Sequence, residues 1–202
     1  MWVEGPAYTH FEYQLSFAAT RICDLALDAK IPCISFTPKA KYEIQPKKTI
    51  STAVSKRQAT LIALLYLVTG QLIWLLPSTF ESRLRTDEVI GSLDGRFASA
   101  AVALDLIEAL LEHIPPMLLV IIDKLNLADS PETRPYLTRL IAMLHGQDTT
   151  KVIKTLFTTA GSCAVLAKTT TRGERADAGR MVQGKPGQHL RGWSSVGNLK
   201  LT

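Results

Sequence analysis

The chain has 202 residues, of which 47% are hydrophobic and 20% are charged. This composition can fill one packed core, and it excludes both a disulfide-stapled miniprotein and a chain that is disordered throughout. The formal net charge of +5 comes entirely from residues 168–202, which contain seven basic and two acidic residues. The rest of the chain is neutral overall, so we expect no nucleic-acid partner.

The predicted elements of the first half are two strands and three helices. Apolar periodicity, with proline at the breaks, places them in this order: strand 1–4, helix 12–29, strand 33–36, helix 55–76 and helix 99–113. A lysine-rich loop at 39–56 leads into the second helix, and a segment of mixed composition at 78–98 precedes the third.

The second half contains the most apolar predicted strand. Residues 117–122 are six consecutive apolar residues that follow two prolines and end at Asp123, which is typical of a strand buried on both faces of a parallel sheet. Asp129, Pro131 and Glu132 then predict the start of a helix that runs to a His-Gly pair, with Asp129 as its N-cap.

The alternation of strands and helices predicts an α/β fold. Residues 152–158 supply the last predicted strand, and this order favours a parallel sheet with helices on both faces, in three layers. We assign residues 1–168 to one domain that carries a helical insertion at about 55–113. A basic, mostly disordered tail is predicted at 169–202. Sites in such folds lie beyond the carboxyl ends of the strands.

Membrane and cysteine patterns predict a cytoplasmic protein. The opening residues resemble no secretory signal. The longest apolar stretch, residues 61–76, is shorter than the roughly 20 residues of a membrane-spanning helix, so we predict a buried helix and no membrane span. The three cysteines match neither a disulfide framework nor a zinc site, and the four histidines are scattered. We therefore expect reduced cysteines that serve as small core side chains and no metal site.

Two segments lie where a parallel sheet would hold a nucleotide phosphate and its Mg²⁺ ion. The loop after the first strand would read G-x-x-x-x-G-K-[ST] in a phosphate-binding protein, and here only Gly5 fits. The positions of the second glycine, the lysine and the hydroxyl are occupied by His10, Phe11 and Glu12. The apolar strand that ends at Asp123 has the Walker B form, in which the aspartate would hold Mg²⁺.

The last predicted strand ends in Thr158 and Thr159, where a P-loop ATPase places a polar sensor residue. In their order and placement, several segments resemble the P-loop ATPase core of fungal NACHT-like signal-transduction ATPases, the STAND class. The similar segments are Trp2-Val-Glu-Gly-Pro6, Ile31-Pro-Cys-Ile-Ser-Phe36, the apolar helix that ends at Leu76-Pro77, Leu118-Leu-Val-Ile-Ile-Asp123-Lys-Leu-Asn126 and Lys154-Thr-Leu-Phe-Thr158-Thr159-Ala160. The resemblance spans about residues 2–166. It implies a P-loop fold with ATP and Mg²⁺ as ligands.

Substitutions at the implied contacts argue against tight binding and hydrolysis. Loss of the lysine contact, together with a Glu12 carboxylate about 4 Å from a phosphate, would cost about 5–7 kcal/mol, or four to five decades in affinity. A protonated His10 would recover part of this cost. The positions of the second Walker B acid are Asn126 and Leu127, neither of which can act as a general base, and Ala160 stands at the position of the sensor arginine.

The favoured hypothesis is a non-catalytic, degenerate P-loop NTPase-like domain, a fragment or paralogue of a larger signalling protein, that acts as an interaction or regulatory module. It would need no cofactor and would bind a protein partner or a second copy through the helical insertion. The alternative is a residual ATP-binding switch with weak or no hydrolysis, in which Gly5 and Asp123 remain as contacts and His10 substitutes for the lost charge. A third hypothesis is a small hydrolase that uses the region 158–163, with Ser162 or Cys163 as its nucleophile.

Overall fold

The computed structural model describes five parallel strands and five α-helices within residues 1–7, 9–38, 55–77, 90–146 and 151–179, with the backbone alone for 9–13. The strands are β1 (Trp2–Gly5), β2 (Cys33–Phe36), β3 (Met117–Ile122), β4 (Val152–Ala160) and β5 (Arg175–Asp177). The helices are α1 (Thr9–Asp28), α2 (Lys56–Leu75), α3 (Ala100–Leu111), α4 (Arg134–His145) and α5 (Ala164–Thr169).

The strands form one sheet in the order β2-β3-β4-β1-β5, and every pairing is parallel. The predicted α/β fold with a parallel sheet is therefore confirmed. The crossover from β1 to β2 runs toward one edge of the sheet, and the three later crossovers run toward the other edge. Because such crossovers are right-handed, α1 and the later helices fall on opposite faces. The contacts agree, since α1 packs on β1 to β4 while α2 to α5 pack on one another.

The main core lies between the sheet and the layer formed by α2 to α5. Along β3, Leu118, Val120 and Ile122 all belong to this core, as expected for side chains that alternate between faces. Trp2 of β1 and Phe157 of β4 are adjacent in register and are both 0% exposed. This packing fixes the carboxyl ends of β1, β3 and β4 beside one another.

Helix α2 begins and ends where its sequence predicts. Ser55 is the N-cap and forms a capping box with Gln58, and the helix stops before Pro77. By length and composition this is the one helix among the described residues that could cross a membrane. A single such helix is weak evidence of a span, because buried core helices have the same composition, and seven residues of α2 are buried in this fold.

Most predicted boundaries lie within two residues of those in the structure, and three differences affect the interpretation. Helix α1 begins at Thr9, three residues before the predicted start, and β4 continues to Ala160 instead of ending at Thr158. The predicted disordered tail was wrong for its first part, because residues 170–177 form a 3-10 turn and β5, which pairs with β1. A strand of three residues carries too few side chains to show a period.

The predicted N-cap role of Asp129 was also wrong. Helix α4 begins after Thr133, and Glu132 accepts a hydrogen bond from the Ser130 hydroxyl at 2.7 Å instead of closing a capping box with Asp129. The predicted lysine-rich loop at 39–54, the segment at 78–89 and the tail beyond residue 179 lie outside the described residues.

Candidate functional site

The carboxyl ends of β1 and β4 form the switch point of the sheet. These strands are neighbours, yet the helices that follow them lie on opposite faces, and this is where open parallel sheets bind their ligands. Gly5 and Ala160 are paired at this edge. The geometry therefore places Gly5 where the sequence predicted chemistry.

Asp123, directly after β3, is an acidic residue of the predicted set that lies at the carboxyl end of its strand. Its side chain is 1% exposed. One carboxylate oxygen accepts a hydrogen bond from the Ser16 hydroxyl at 2.5 Å, and the other accepts one from the Thr158 hydroxyl. The carboxylate thus links α1, β3 and β4. The structure brings Asp123 and Thr158 into direct contact, and their predicted role at a nucleotide stays a prediction.

Ser16 is a site residue that sequence reasoning missed. It lies on α1 one helical turn after Glu12, the residue that stands at the expected hydroxyl position. Positions four residues apart share one face of a helix. The Ser16 hydroxyl could therefore have been predicted to lie on the face of α1 that Glu12 occupies. The contact with Asp123 spans 107 residues of sequence, and only the packing of α1 on the sheet creates it.

Thr159 does not join Thr158 at the site. Successive strand residues point to opposite faces, so Thr159 faces the core, where its hydroxyl accepts a hydrogen bond from the Trp2 indole N–H at 2.9 Å. On the other side of Trp2, the guanidinium carbon of Arg175 lies 4.5 Å from the ring centroid and the same side chain pairs with Glu4. Thr159 therefore holds Trp2 in place, and the prediction of a nucleotide contact gains no support from its position.

The loop after β1 packs directly on the turn after β4. The Gly161 N–H donates to the Gly5 carbonyl at 2.8 Å, and Gly161 has a φ of 83°, which favours glycine. A Cβ at Gly161 would lie 3.3 Å from the Cβ of Ala7. Pro6 removes one backbone N–H from the segment whose N–H groups would bind a phosphate. Because of Pro6, this loop has one backbone donor fewer for an anion at that position.

His10, Phe11 and Glu12 lie in the first turns of α1. The structure describes their backbone, so their predicted places next to a phosphate stay a prediction.

Asn126 is one of the two residues that stand at the expected position of a second acidic group. It lies in the 3-10 turn Leu125–Leu127, and its side-chain N–H donates to the Ala160 carbonyl at 3.1 Å. Its Oδ1 atom is buried and has no hydrogen-bond partner among the described residues. Such an atom is a place for a bound water or a donor group of a ligand. Asn126 therefore joins the ends of β3 and β4 and leaves one acceptor unused.

Asp129 is a second residue whose role the sequence did not reveal. Its side chain is almost fully buried, and one oxygen accepts from the Ala164 N–H at 2.6 Å, at the start of α5. The other oxygen accepts from the Arg134 Nε at 2.7 Å, and its backbone carbonyl accepts from Arg57 of α2. Asp129 therefore contacts three helices, α2, α4 and α5, and links them to one another.

Cys163, in the region considered for a hydrolase, is not placed as a reactive cysteine. Cys163 is 0% exposed, and burial raises the pKa of its thiol to about 12. A thiol that stays protonated and buried is a poor nucleophile.

Within the part of the chain that the structure describes, no three His, Cys, Asp or Glu side chains are grouped to hold a metal ion. Compared with known proteins, the chain matches no protein-family model and no curated protein.

Proposed function

We propose that this chain is a non-catalytic P-loop NTPase-like domain of the NACHT/STAND kind that acts as an interaction or regulatory module. The observation that carries the proposal is the contact of Asp123 with Ser16 and Thr158. P-loop NTPases hold Mg²⁺ between a hydroxyl on the helix after the first strand and an aspartate at the end of another strand of the same sheet. The same two group types meet here, on elements of the same order.

The same contact supports a structural role for the aspartate. Both carboxylate oxygens already accept hydrogen bonds from hydroxyl groups, and the residue is 1% exposed. A Mg²⁺ ion would have to displace one of these bonds and bring its remaining water ligands into a packed region. With Asn126 in place of an acid, the site also lacks a general base at that position. We therefore propose that ATP hydrolysis is absent and that no cofactor is needed.

A residual nucleotide switch is the second proposal. The unpartnered Oδ1 of Asn126 and the neighbouring Gly5 backbone favour it, because both lie at the switch-point edge. Ser16 and Asp123 would then exchange their mutual hydrogen bond for Mg²⁺.

Titration with fluorescent ATP and Mg²⁺ separates these proposals. The unmodified chain is expected to show no saturation up to about 1 mM. A matched chain with His10→Gly, Phe11→Lys and Glu12→Ser regains the phosphate-loop residues, and we expect it to bind in a Mg²⁺-dependent manner. Adding Asp123→Asn to that chain should abolish the Mg²⁺ dependence, with circular dichroism to verify folding.

Each result has a defined meaning. Saturable micromolar binding by the unmodified chain would replace the first proposal with the residual switch. Absence of binding by the folded triple variant would count against a P-loop-like site altogether.

The interaction surface that we propose is the outer side of α2, in the helical insertion. Trp74 is 88% exposed, and Leu67, two helical turns earlier on the same face, is 44% exposed. An added Cβ at Gly70, between them, would meet no atom within 4 Å. Such exposed apolar side chains on one helix face are typical of protein contact sites. Trp74→Glu should lower self-association in sedimentation experiments, and a monomer in both chains would exclude self-association through this surface.

The described structure leaves all three cysteines unpaired. We propose a cytoplasmic location on that basis, because reducing compartments keep thiols free.

A further inference from the structure

Cys23 and Cys33 lie side by side, although ten residues separate them in sequence. Cys23 is in the C-terminal half of α1, Cys33 is the first residue of β2, and their Sγ atoms are 3.6 Å apart. Both side chains are partly buried. The third cysteine, Cys163, lies in the core on the opposite face of the sheet.

The turn between α1 and β2 holds this pair in position. Lys30 has a φ of 56°, and its N–H donates to the Leu27 carbonyl at 2.9 Å. The Ile31 N–H donates to the Ala26 carbonyl at 2.8 Å. These two bonds form a Schellman-type helix end, which reverses the chain with fixed geometry. The approach of the two thiols is therefore built into the backbone of the turn.

We propose that Cys23 and Cys33 are a redox modification site that closes to an intramolecular disulfide by exchange with a small disulfide such as oxidised glutathione. An S–S bond of about 2.05 Å requires the sulfur atoms to approach by roughly 1.5 Å, which side-chain rotation can supply when the residues already touch. This inference goes beyond the proposed function and does not depend on nucleotide binding.

The exchange proceeds in two balanced steps. The Cys23 thiol loses its proton, and the thiolate attacks one sulfur of glutathione disulfide and releases one glutathione thiolate. The Cys33 thiol then loses its proton and attacks the Cys23 sulfur of the mixed disulfide, which releases the second glutathione. Two protein thiols are oxidised, and one external disulfide is reduced to two thiols.

The surroundings of the two thiols set this order. Burial, followed by the hydrogen bond with Cys23, raises the pKa of Cys33 to about 12. Because the thiolate is the attacking species, this raised pKa makes Cys33 a slow nucleophile toward an external disulfide. Its contact with Cys23 makes it the resolving thiol, since that attack needs no diffusion.

The bond would tie α1 to the first residue of β2. Ser16, which contacts Asp123, lies seven residues before Cys23 and therefore on the same face of α1. Closing the disulfide thus fixes the face of α1 that carries the hydroxyl at the switch-point edge.

The test treats the native, full-length chain with oxidised glutathione and maps its tryptic peptides without reduction. Cleavage after Arg21, Lys30 and Lys39 places Cys23 and Cys33 in adjacent, separate peptides, so the disulfide joins residues 22–30 to 31–39. We expect this linked pair, loss of two hydrogens from the intact mass, and Cys163 in its reduced form. Any of three results would overturn the proposal: a stable mixed disulfide with glutathione on Cys23 or Cys33, a disulfide between two chains, or a disulfide that includes Cys163.

Single variants test the order of attack. Cys33→Ser should trap one glutathione on Cys23 at the rate of the parent chain, while Cys23→Ser should be modified at least tenfold more slowly. Equal rates in the two variants would contradict Cys23 as the attacking thiol. In the parent chain, oxidation should raise Tm by about 5 °C or more, and an unchanged or lowered Tm would show that the bond does not fit the native backbone.

Discussion

At the scale of single residues, the Asp123 carboxylate is the point at which side chains join three elements. Ser16 of α1 and Thr158 of β4 donate to its two oxygens, and the carboxylate is sealed from solvent. Buried hydroxyl groups that lose their acceptor incur a desolvation cost that water cannot offset. The group that would bind Mg²⁺ in a P-loop NTPase therefore has a stabilising role in this fold.

Replacing this carboxylate should destabilise the fold. Asp123→Ala is expected to lower the free energy of unfolding by about 2–4 kcal/mol, because two donors lose one shared acceptor. Urea denaturation measures the change. The matched control is Asp105→Ala on α3, where an exposed carboxylate pairs with Arg139, and about 0.5 kcal/mol or less is expected. Equal losses in the two variants would contradict the role of Asp123.

Cys163 should make stability depend on alkaline pH. Burial raises the pKa of its thiol from 9.0 to about 12 in the folded chain. Between these values the unfolded state binds fewer protons, so the contribution is complete below pH 9 and is lost as the pH rises toward 12.

Unfolding at about pH 8 and about pH 10 tests this dependence. The parent chain should lose about 1.5 kcal/mol more than Cys163→Ala over this interval, since lysines and tyrosines titrate equally in both. Parallel pH profiles for the two chains would show that the thiol does not contribute.

At the scale of elements, Asp129 explains how short helices are held in the layer above the sheet. Helix α5 has six residues and no side-chain cap of its own from Cys163. Asp129 accepts its first N–H groups and also pairs with Arg134 at the start of α4. A carboxylate at a helix N-terminus interacts favourably with the helix dipole. Asp129, which is distant in sequence, therefore supplies the N-terminal side-chain cap that the sequence around α5 lacks.

Removal of Asp129 should loosen α4 and α5 together. Asp129→Ala is expected to lower the free energy of unfolding by about 2–4 kcal/mol, through loss of the cap and of a buried ion-pair partner. Glu132→Ala is the matched control, because the Glu132 side chain is exposed although it accepts a hydrogen bond from Ser130, and about 0.5 kcal/mol or less is expected. A larger loss of stability for Glu132→Ala than for Asp129→Ala in urea denaturation would contradict this role of Asp129 and favour the capping box that the sequence predicted.

At the scale of the whole molecule, β5 completes the sheet beside β1. Without it β1 would be an edge strand, and Trp2 would lose the Arg175 side chain that covers it. Unpaired edges expose backbone groups and invite association. The three residues of β5 thus protect the strand that leads into the candidate site.

Truncation tests this protection. A chain that ends at residue 170 should be less soluble and should unfold at lower urea concentration than one that ends at residue 179, which keeps β5. Indistinguishable unfolding and solubility would show that β5 adds nothing to the sheet. Near-ultraviolet circular dichroism of the tryptophans should change in the shorter chain, because Trp2 gains solvent contact.

Local sequence determined the elements and part of the candidate site. The apolar run of β3 and the longer apolar stretch of α2, which ends before Pro77, predict these two elements from local sequence. The places of Gly5, Asp123 and Thr158 at one edge followed from the parallel sheet, since all strands of such a sheet end on the same side. Period two also implies that Thr158 and Thr159 face opposite ways.

Tertiary structure alone decided which side chains meet. Ser16 reaches Asp123 across 107 residues, and Asp129 caps a helix 35 residues later instead of the one that follows it. Such contacts depend on how α1 and α5 pack across the sheet, and no local period encodes that packing. The pairing of β5 with β1 is decided in the same way, because three residues form a strand only when a neighbouring strand supplies their hydrogen bonds.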